Sequence, residues 1–267
     1  MPAAAAAGGT CAVLVTHRLC DTTLGRIDAL REGLAGRVDL IVALTEPLGR
    51  AAAACGVAEA LVLGRDDIFR AEYPLKGASR KIVPGNADLV PLAVRRARPG
   101  YARYWYIEYD VWFACGAGVL AELDAATEAD LVLPLHDHPR SRSQDWINWP
   151  SVVIPPGEAA AAGDPRHALL CLHRASARLL DAVDRAYRRG WAGHFEATLP
   201  TIAHAEGFVA ERIVELSRRA LGRPLLDPRS FRSHGCDGAG AGFIYHPVKT
   251  ATAEQLLLAG KPVTKGS

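Results

Sequence analysis

The chain has 267 residues, of which 49% are hydrophobic and 22% are charged, a composition typical of a globular protein with a sizeable core. Its formal net charge is +2, so it lacks the overall basic field of nucleic-acid-binding proteins, and we expect no nucleic-acid partner. No uninterrupted apolar run reaches about 18 residues, so we expect no transmembrane segment, and contact with a membrane surface stays open.

The cysteines indicate the cellular compartment, and the composition of the two ends of the chain indicates where the folded domain begins and ends. The six cysteines lack the spacing of a disulfide framework or a zinc site, which favours a reducing, cytoplasmic location. The alanine-rich N-terminus lacks the basic region of a signal peptide. We expect a flexible N-terminus over residues 1–9, a single domain over 10–250 with halves at 10–135 and 136–250, and a C-terminal tail over 251–267.

The first part of the chain alternates apolar runs with helical patterns. Short apolar runs at 11–16, 38–44 and 60–63 are typical of strands that are buried on both faces. Helical patterns at 21–36 and 49–55 separate them. This alternation predicts a parallel β-sheet of Rossmann-like design.

The most strand-like run of the sequence, residues 101–115, carries two carboxylates near its C-terminal end. Side chains two residues apart on a strand point to the same face, so Glu108 and Asp110 are expected to project together. Two like charges in an apolar strand are unfavourable unless something neutralises them, and a divalent cation takes oxygen ligands. The alternative is a solvated strand end whose acids bind local backbone.

Other polar residues are expected at the same edge of the sheet. Thr16, Arg18 and Glu46 follow the first two predicted strands, and ligands of open α/β sheets bind beyond the carboxyl ends of the strands. Neither a P-loop nor a GxGxxG motif after the first strand is present. The long loop over 64–85 carries Lys81, which either meets a phosphate or is simply solvated.

A loop with three polar residues follows the predicted strand at 130–135. His136, Asp137 and His138 could chelate a transition metal, or they form a solvated loop. Farther along this loop, two tryptophans offer flat apolar faces on which sugar rings can stack. They are Trp146 and Trp149.

The second half has helical patterns with recognisable ends. Ser176 is a favourable N-cap for a helix that ends near Gly190. A strand-like run precedes it at 167–172, and the segment 209–214 fits either a strand or a helical turn.

Two further candidate positions come from this half. Glu196 begins a helix, where the macrodipole favours a carboxylate; it could instead be a general base whose pKa is tuned by the neighbouring His194. The strand-like run at 243–245 delivers His246 and Lys249, which could supply a metal ligand and a phosphate contact.

Three of these stretches together resemble a known family. The motif Glu108-Tyr109-Asp110 resembles the acidic strand-end motif, often written DxD, of GT-A glycosyltransferases of the nucleotide-diphospho-sugar transferase superfamily. The stretch from His194 to Glu196 with the following Leu-Pro-Thr, and the stretch from His246 to Lys249, are similar to stretches of bacterial members. The resemblance extends over residues 10–250.

The resemblance implies an α/β fold with a Rossmann-like, mostly parallel central sheet flanked by helices. Its first half would bind the nucleotide, and its mixed C-terminal half would bind the acceptor. It implies transfer of a sugar from a nucleotide-diphosphate sugar to a glycan or other hydroxyl acceptor, with Mn²⁺ or Mg²⁺ as cofactor.

The same resemblance implies roles for individual residues. The metal ligands would be Asp110, Glu108 and His246. The nucleotide and its diphosphate would contact Thr16, Arg18, Glu46, Lys81, Glu108 and Lys249. The catalytic base of an inverting enzyme would be Glu196, and the acceptor side would hold His136, Trp146, Trp149 and His194.

Two other functions stay open at this point. Glu108 stands where the family more often has Asp, which leaves its metal ligation and the metal dependence undecided. A metal-dependent hydrolase could use His136, Asp137 and His138 together with Asp110. A non-catalytic protein that binds a sugar nucleotide is the other alternative.

Overall fold

The structure is a computed structural model that describes residues 8–135, 137–232, 235–238, 240–258 and 261–263. The strands are β1 Thr10–Thr16, β2 Asp39–Thr45, β3 Ala60–Leu63, β4 Arg103–Glu108, β5 Trp112–Phe113, β6 Leu131–Leu133, β7 His138–Pro139, β8 Arg166–His167, β9 Leu172–Ser176, β10 Ala210–Arg212 and β11 Ile244–Tyr245. The helices are α1 Asp21–Leu34, α2 Glu46–Ala54, α3 Arg65–Ile68, α4 Leu89–Ala97, α5 Val119–Ala125, α6 Ala159–Ala162, α7 Ala177–Arg188, α8 Phe195–Ala205, α9 Ile213–Leu221 and α10 Ala251–Leu258.

A seven-stranded sheet with the order β10-β6-β9-β4-β1-β2-β3 forms the centre of the fold. Strand β9 runs antiparallel to both of its neighbours, and the other pairs are parallel. Two short antiparallel ribbons, β5–β11 and β7–β8, lie outside this sheet. The predicted Rossmann-like, mostly parallel sheet flanked by helices is confirmed.

The sheet has a hydrophobic core on each face because its central strands are apolar on both sides. In β4, Tyr104 and Tyr106 enter the core that also contains residues of α4, α7 and α8. Trp105 and Ile107 enter the opposite core with residues of α1, α5 and α9. All four side chains are at most 3% exposed, so β4 is fixed from both faces up to the point where it ends at Glu108.

The strand predicted at 167–172 is displaced, since β9 covers Leu172–Ser176. Two polar residues within β9 make this strand difficult to recognise from the sequence. Arg174 is fully buried but donates to the Asp124 carboxylate at 2.7 Å and to the Ala129 carbonyl at 2.6 Å. His173 is likewise buried, with Nδ1 2.7 Å from the Leu170 carbonyl oxygen. Burial of these groups is tolerated because each finds a partner.

In the second half, the N-cap predicted at Ser176 is confirmed. The structure also shows what the segment 209–214 forms. Ser176 caps α7, accepting the Leu179 N–H at 3.2 Å. The segment 209–214 supplies β10 and the first turn of α9.

Residues 251–258, which the sequence placed in a C-terminal tail, form α10. Its Ala253 and Leu257 are buried against the β5–β11 ribbon side of the fold. Its Glu254 pairs with Arg26 at 2.8 Å. Within the described ranges, no helix is both long enough and apolar enough to cross a membrane.

Gly193 permits the tight approach of two loops just before α8. Its φ is +121°, and a Cβ built at this position would lie 2.6 Å from the Ser151 carbonyl oxygen. We expect Gly193→Ala to lower the free energy of unfolding by at least roughly 2 kcal/mol, because an alanine here is strained and also clashes. Urea denaturation measures the change.

The matched control is Gly207→Ala. Gly207 also has a positive φ, +73°, but nothing lies within 4 Å of a Cβ built there. This variant should lose only about 1 kcal/mol. Equal losses in the two variants would contradict the proposed close approach at Gly193.

Candidate active site

The run predicted as one strand over 101–115 is two strands separated by a turn. Strand β4 ends at Glu108, and the chain turns through Tyr109 and Asp110 before β5. The Val111 N–H closes the turn on the Glu108 carbonyl at 3.0 Å. The two acids therefore converge through a turn, and not through the alternation of a continuous strand.

The β5–β11 ribbon brings a histidine from the far end of the chain to this turn. Tyr245 pairs with Trp112, which places the next residue, His246, beside the acids. The Val248 N–H donates to the Asp110 carbonyl at 2.8 Å and holds the segment there.

Glu108, Asp110 and His246 form a cluster of candidate metal ligands. One ligand atom from each lies within 4.8 Å of the others. His246 Nε2 is 3.5 Å from Asp110 Oδ1 and 3.9 Å from Glu108 Oε2. His246 Nδ1 lies 2.6 Å from the Arg232 carbonyl oxygen. Since a carbonyl can only accept, Nδ1 carries a proton and Nε2 faces the acids.

The three residues of the cluster influence one another's pKa values. Burial opposes the charge of Asp110, but His246 and Lys249 hold its pKa below the usual value. Burial raises the pKa of Glu108, and the charge of Asp110 adds to this effect. Burial works against protonation of His246, yet the two carboxylates raise its pKa above the usual value.

These residues fit a divalent cation. Asp110 Oδ1 is buried, and its nearest donor, His246 Nε2, lies 3.5 Å away, so this oxygen lacks the close donor that a buried acceptor normally finds. Two carboxylates and an imidazole nitrogen are a donor set that suits Mn²⁺, and the oxygens also suit Mg²⁺. A bound cation would take the place of the proton on His246 Nε2.

Lys249 and the turn after β1 flank the cluster. Lys249 Nζ lies 3.7 Å from Asp110 Oδ2, and its side chain is 43% exposed. Thr16 is buried and donates to the Arg18 carbonyl at 2.6 Å, so its hydroxyl shapes the turn. The exposed Arg18 guanidinium lies 5.7 Å from the centre of the Tyr109 ring.

Arg26 was not identified from the sequence, although it supports the acidic turn. It is 7% exposed, donates to the Tyr109 carbonyl at 2.6 Å and pairs with Glu254. Its partners lie 83 and 228 residues away along the chain. No local pattern could have indicated these contacts.

A cavity of about 310 Å³ adjoins the cluster on the side of α8. Its wall includes Glu196, Trp146, Phe231 and Arg232. The last two residues join it to the ligand cluster, because the Phe231 ring packs on His246 at 5.4 Å and the Arg232 carbonyl holds the same imidazole. A larger cavity of about 800 Å³ lies between α1, β5 and α10 and includes none of the cluster residues or Glu196. The volume of a cavity therefore does not by itself identify the candidate active site.

Glu196 has an unusual protonation equilibrium. Burial raises its pKa to about 7, with a further contribution from Glu108, against the effect of the Leu170 N–H. His194 caps α8, and its Nδ1 accepts the Glu196 N–H at 3.4 Å. Burial and Lys76 lower the pKa of His194 to about 4. The neutral His194 thus orients the helix start, and burial, not His194, raises the pKa of Glu196.

The two tryptophans of the predicted acceptor side differ in their environment. Trp146 lines the cavity and stacks on His167, with ring centres 4.6 Å apart. Trp149 is only 3% exposed, and its indole N–H donates to the Ser143 carbonyl at 2.6 Å. The expectation of a free stacking face at Trp149 is therefore wrong, since Trp149 supports the loop that presents Trp146.

The polar loop after β6 is engaged in other contacts. Asp137 accepts from Arg166 Nε at 2.7 Å. The His138 ring lies 5.5 Å from that of His167. His136 lies outside the described residues. In the part of the chain that is described, Glu108, Asp110 and His246 are the one group that could hold a metal ion, and this geometry does not favour the hydrolase alternative.

Two predicted nucleotide contacts are not joined to the cluster by a described contact. Glu46 begins α2 directly after β2, and its side chain lies outside the description. Lys81 is exposed on the loop between α3 and α4, where its carbonyl accepts from the Asn86 amide at 2.8 Å.

The fold and site define a Rossmann-like α/β protein with two carboxylates and one imidazole at the carboxyl edge of its sheet. No family model and no curated protein matches the chain. A solved mycobacterial protein is similar over 91% of this chain and 85% of its own, with 17% identity and a TM-score of 0.37. Glucosyl-3-phosphoglycerate synthase from Mycobacterium tuberculosis, in complex with Mn²⁺, UDP-glucose and glycerol 3-phosphate, is similar over 91% and 88%, with 16% identity and a TM-score of 0.36. Similarity at this level transfers neither an activity nor a substrate.

The ligand cluster leads to a direct prediction about metal binding. Asp110→Asn removes a buried charge that the cation would neutralise, so the affinity for Mn²⁺ should fall at least roughly tenfold. Isothermal titration calorimetry with Mn²⁺ alone measures it. Asp66→Asn is the matched control, because Asp66 is 95% exposed and pairs only with Arg80 among described contacts. Unchanged Mn²⁺ affinity in a folded Asp110→Asn variant would remove Asp110 from the ligand set.

Proposed function

We propose that the protein is a divalent-metal-dependent glycosyltransferase that moves a sugar from a nucleotide-diphosphate sugar to a hydroxyl acceptor. One observation carries this proposal. The cluster of half-buried Glu108 with buried Asp110 and His246 adjoins a cavity whose wall holds Glu196, a carboxyl group with a pKa of about 7. Cation ligands that stabilise the leaving diphosphate and a base of suitable pKa for the acceptor hydroxyl are the two parts of a metal-dependent inverting transfer.

The donor side is assigned to the cluster and the turns beside it. Glu108, Asp110 and His246 would hold Mn²⁺ or Mg²⁺, which when bound supplies positive charge to the diphosphate leaving group. Lys249, half-exposed and 3.7 Å from Asp110, adds a cation on the same side. Arg18 lies against Tyr109 and would contact the nucleotide from the end of β1. Glu46, Lys81 and Thr16 stay predicted nucleotide contacts.

The acceptor side is assigned to the cavity of about 310 Å³, which has the size of a small-ligand site. Glu196 would take the proton from the acceptor hydroxyl as that oxygen attacks the sugar carbon. A base on the acceptor side, opposite the leaving diphosphate, gives inversion. The stacked pair Trp146 and His167 offers an apolar face to a sugar ring. His194 holds the first turn of α8 and thereby the Glu196 backbone.

The location is proposed to be cytoplasmic. All six cysteines are free thiols, in keeping with a reducing compartment.

A panel of sugar nucleotides tests the function. With Mn²⁺ or Mg²⁺ present, at least one should raise the melting temperature and be slowly hydrolysed. Glu196→Gln should keep the thermal shift but lose transfer to an acceptor by roughly 10²–10⁴-fold, because only proton removal is impaired. Thermal unfolding and release of the nucleoside diphosphate are the two measurements.

The matched control is Glu206→Gln at the other end of α8, where Glu206 pairs with Arg189 at 3.2 Å on the surface. It should retain full activity. No thermal shift and no donor hydrolysis with any member of the panel would overturn the proposal. Binding without turnover in the unaltered protein would favour a non-catalytic binding protein.

The raised pKa of Glu196 gives a pH dependence with a defined sign. The base acts when deprotonated, so transfer should increase with pH through about 7 and be lost as pH falls below it. In the folded state the acid form is favoured, so the contribution of Glu196 to stability is lost as pH rises from 4.5 to about 7. Glu196→Gln should therefore gain stability relative to the unaltered protein over that window. If the melting temperatures of the variant and of the unaltered protein change in parallel between pH 4.5 and about 7, the result would contradict the burial assigned to the Glu196 charge.

A further inference from the structure

Exposed apolar side chains are concentrated on two loops, one between α3 and α4 and the other between β7 and β8. Of the seven large hydrophobic side chains that the described residues expose, four lie within 75–86 and 147–153. Ile147 is 84% exposed and Val83 is 74% exposed. Leu75 and Val153 are 50% and 41% exposed. Exposed apolar side chains that are grouped on two loops in this way mark an interaction surface more often than scattered single residues do.

The two loops enclose one cleft. Leu75 and Val153 line a cleft of about 440 Å³. Val83 and Ile147 each directly precede a residue that lines it. We define the two-loop surface as residues 75–86 and 147–153 together with residues 139–146, which lead into the second loop and are held to it by the hydrogen bond from the Trp149 indole to the Ser143 carbonyl.

The two-loop surface is attached to the helix that bears Glu196. The Gly85 carbonyl accepts the Phe195 N–H at 3.0 Å, and the Ser151 hydroxyl accepts the His194 N–H at 3.0 Å. The cleft also contains the His194 side chain. Whatever covers this surface therefore lies next to His194 and the first turn of α8, the helix that bears Glu196.

The surface is also cationic. It carries four exposed cations, Arg80, Lys81, Arg140 and Arg142, and one exposed carboxylate, Asp145. Arg80 is paired with Asp66, 2.8 Å away. Lys76 is buried and paired with Asp88 at 3.0 Å, so it adds no surface charge.

We infer that the two-loop surface docks on a membrane that contains anionic phospholipids. Ile147 and Val83 do not line the cleft and are mostly exposed, so they leave water only by entering another medium. A fluid layer of headgroups accepts such side chains while its phosphates meet the surrounding cations. Docking in this orientation turns the side of the molecule near His194 towards the bilayer. The inference goes beyond the proposed function, because docking requires neither nucleotide nor turnover.

Vesicle co-sedimentation of the full chain tests the docking. Vesicles of phosphatidylcholine with phosphatidylglycerol should carry the protein down at low salt, and vesicles of phosphatidylcholine alone should not. Added salt should weaken the binding, since exposed charges are screened. The double variant Val83→Ser with Ile147→Ser should bind at least roughly tenfold more weakly, because two apolar side chains no longer enter the membrane.

The matched control is Val62→Ser with Val209→Ser, which alters two exposed valines outside the two-loop surface, 43% and 61% exposed. It should bind as the unaltered protein does. Failure to bind anionic vesicles, equal binding to both vesicle types, or an equal loss in the control would overturn the inference. Binding of a monomeric long-chain phosphate without vesicle binding would also overturn it, in favour of a lipid-like acceptor. Donor hydrolysis in vesicle-free buffer reports separately on the proposed function.

Discussion

The charge of Asp110 is the constraint around which the site is organised. Its side chain is 5% exposed at the end of the central strand, where an isolated carboxylate is strongly disfavoured. His246 and Lys249 come from the far end of the sequence to compensate this charge, and the β5–β11 ribbon positions them. The backbone of Asp110 is fixed by Val248 at the same time. The carboxylate and imidazole groups gathered here, Glu108, Asp110 and His246, are also a donor set that suits a divalent cation.

A second constraint lies at the start of α8, where an acid is buried without a cation beside it. Glu196 meets a backbone N–H and a neutral imidazole, and the carboxylate of Glu108 acts on it across the site. The protein therefore holds one carboxyl group charged and another near its titration point within the same region. Such a separation of pKa values divides cation binding from proton transfer. The pKa of Asp110 is low because His246 and Lys249 are its neighbours. Glu196 instead has a backbone N–H and the neutral His194 beside it.

The sequence predicted the parts of the fold that local pattern controls. The apolar runs located β1, β2 and β3, and Ser176 located the start of α7. Strand β9 was displaced because its polar residues, His173 and Arg174, are satisfied by groups distant in sequence. The same distinction between local pattern and nonlocal contacts applies to the residues of the site. The sequence indicates Glu108, Asp110 and His246 as candidate ligands, but it predicts a continuous strand where the structure has the turn that makes the acids converge. Arg26 was missed since both of its partners are nonlocal, and Trp149 was misjudged since its burial depends on packing.

The order in which the site is completed follows from the position of its parts along the chain. The acids lie on the fourth strand, whereas His246, Lys249 and the Arg26 partner Glu254 follow residue 245. During synthesis, the sheet can form around β4 while the acidic turn still lacks its imidazole, its lysine and the helix that braces Arg26. Competence to hold a cation thus arises late, after nearly all of the described chain has emerged. The segment after residue 245 therefore supplies the imidazole, the lysine and the partner of Arg26 that the acidic turn after β4 does not itself contain.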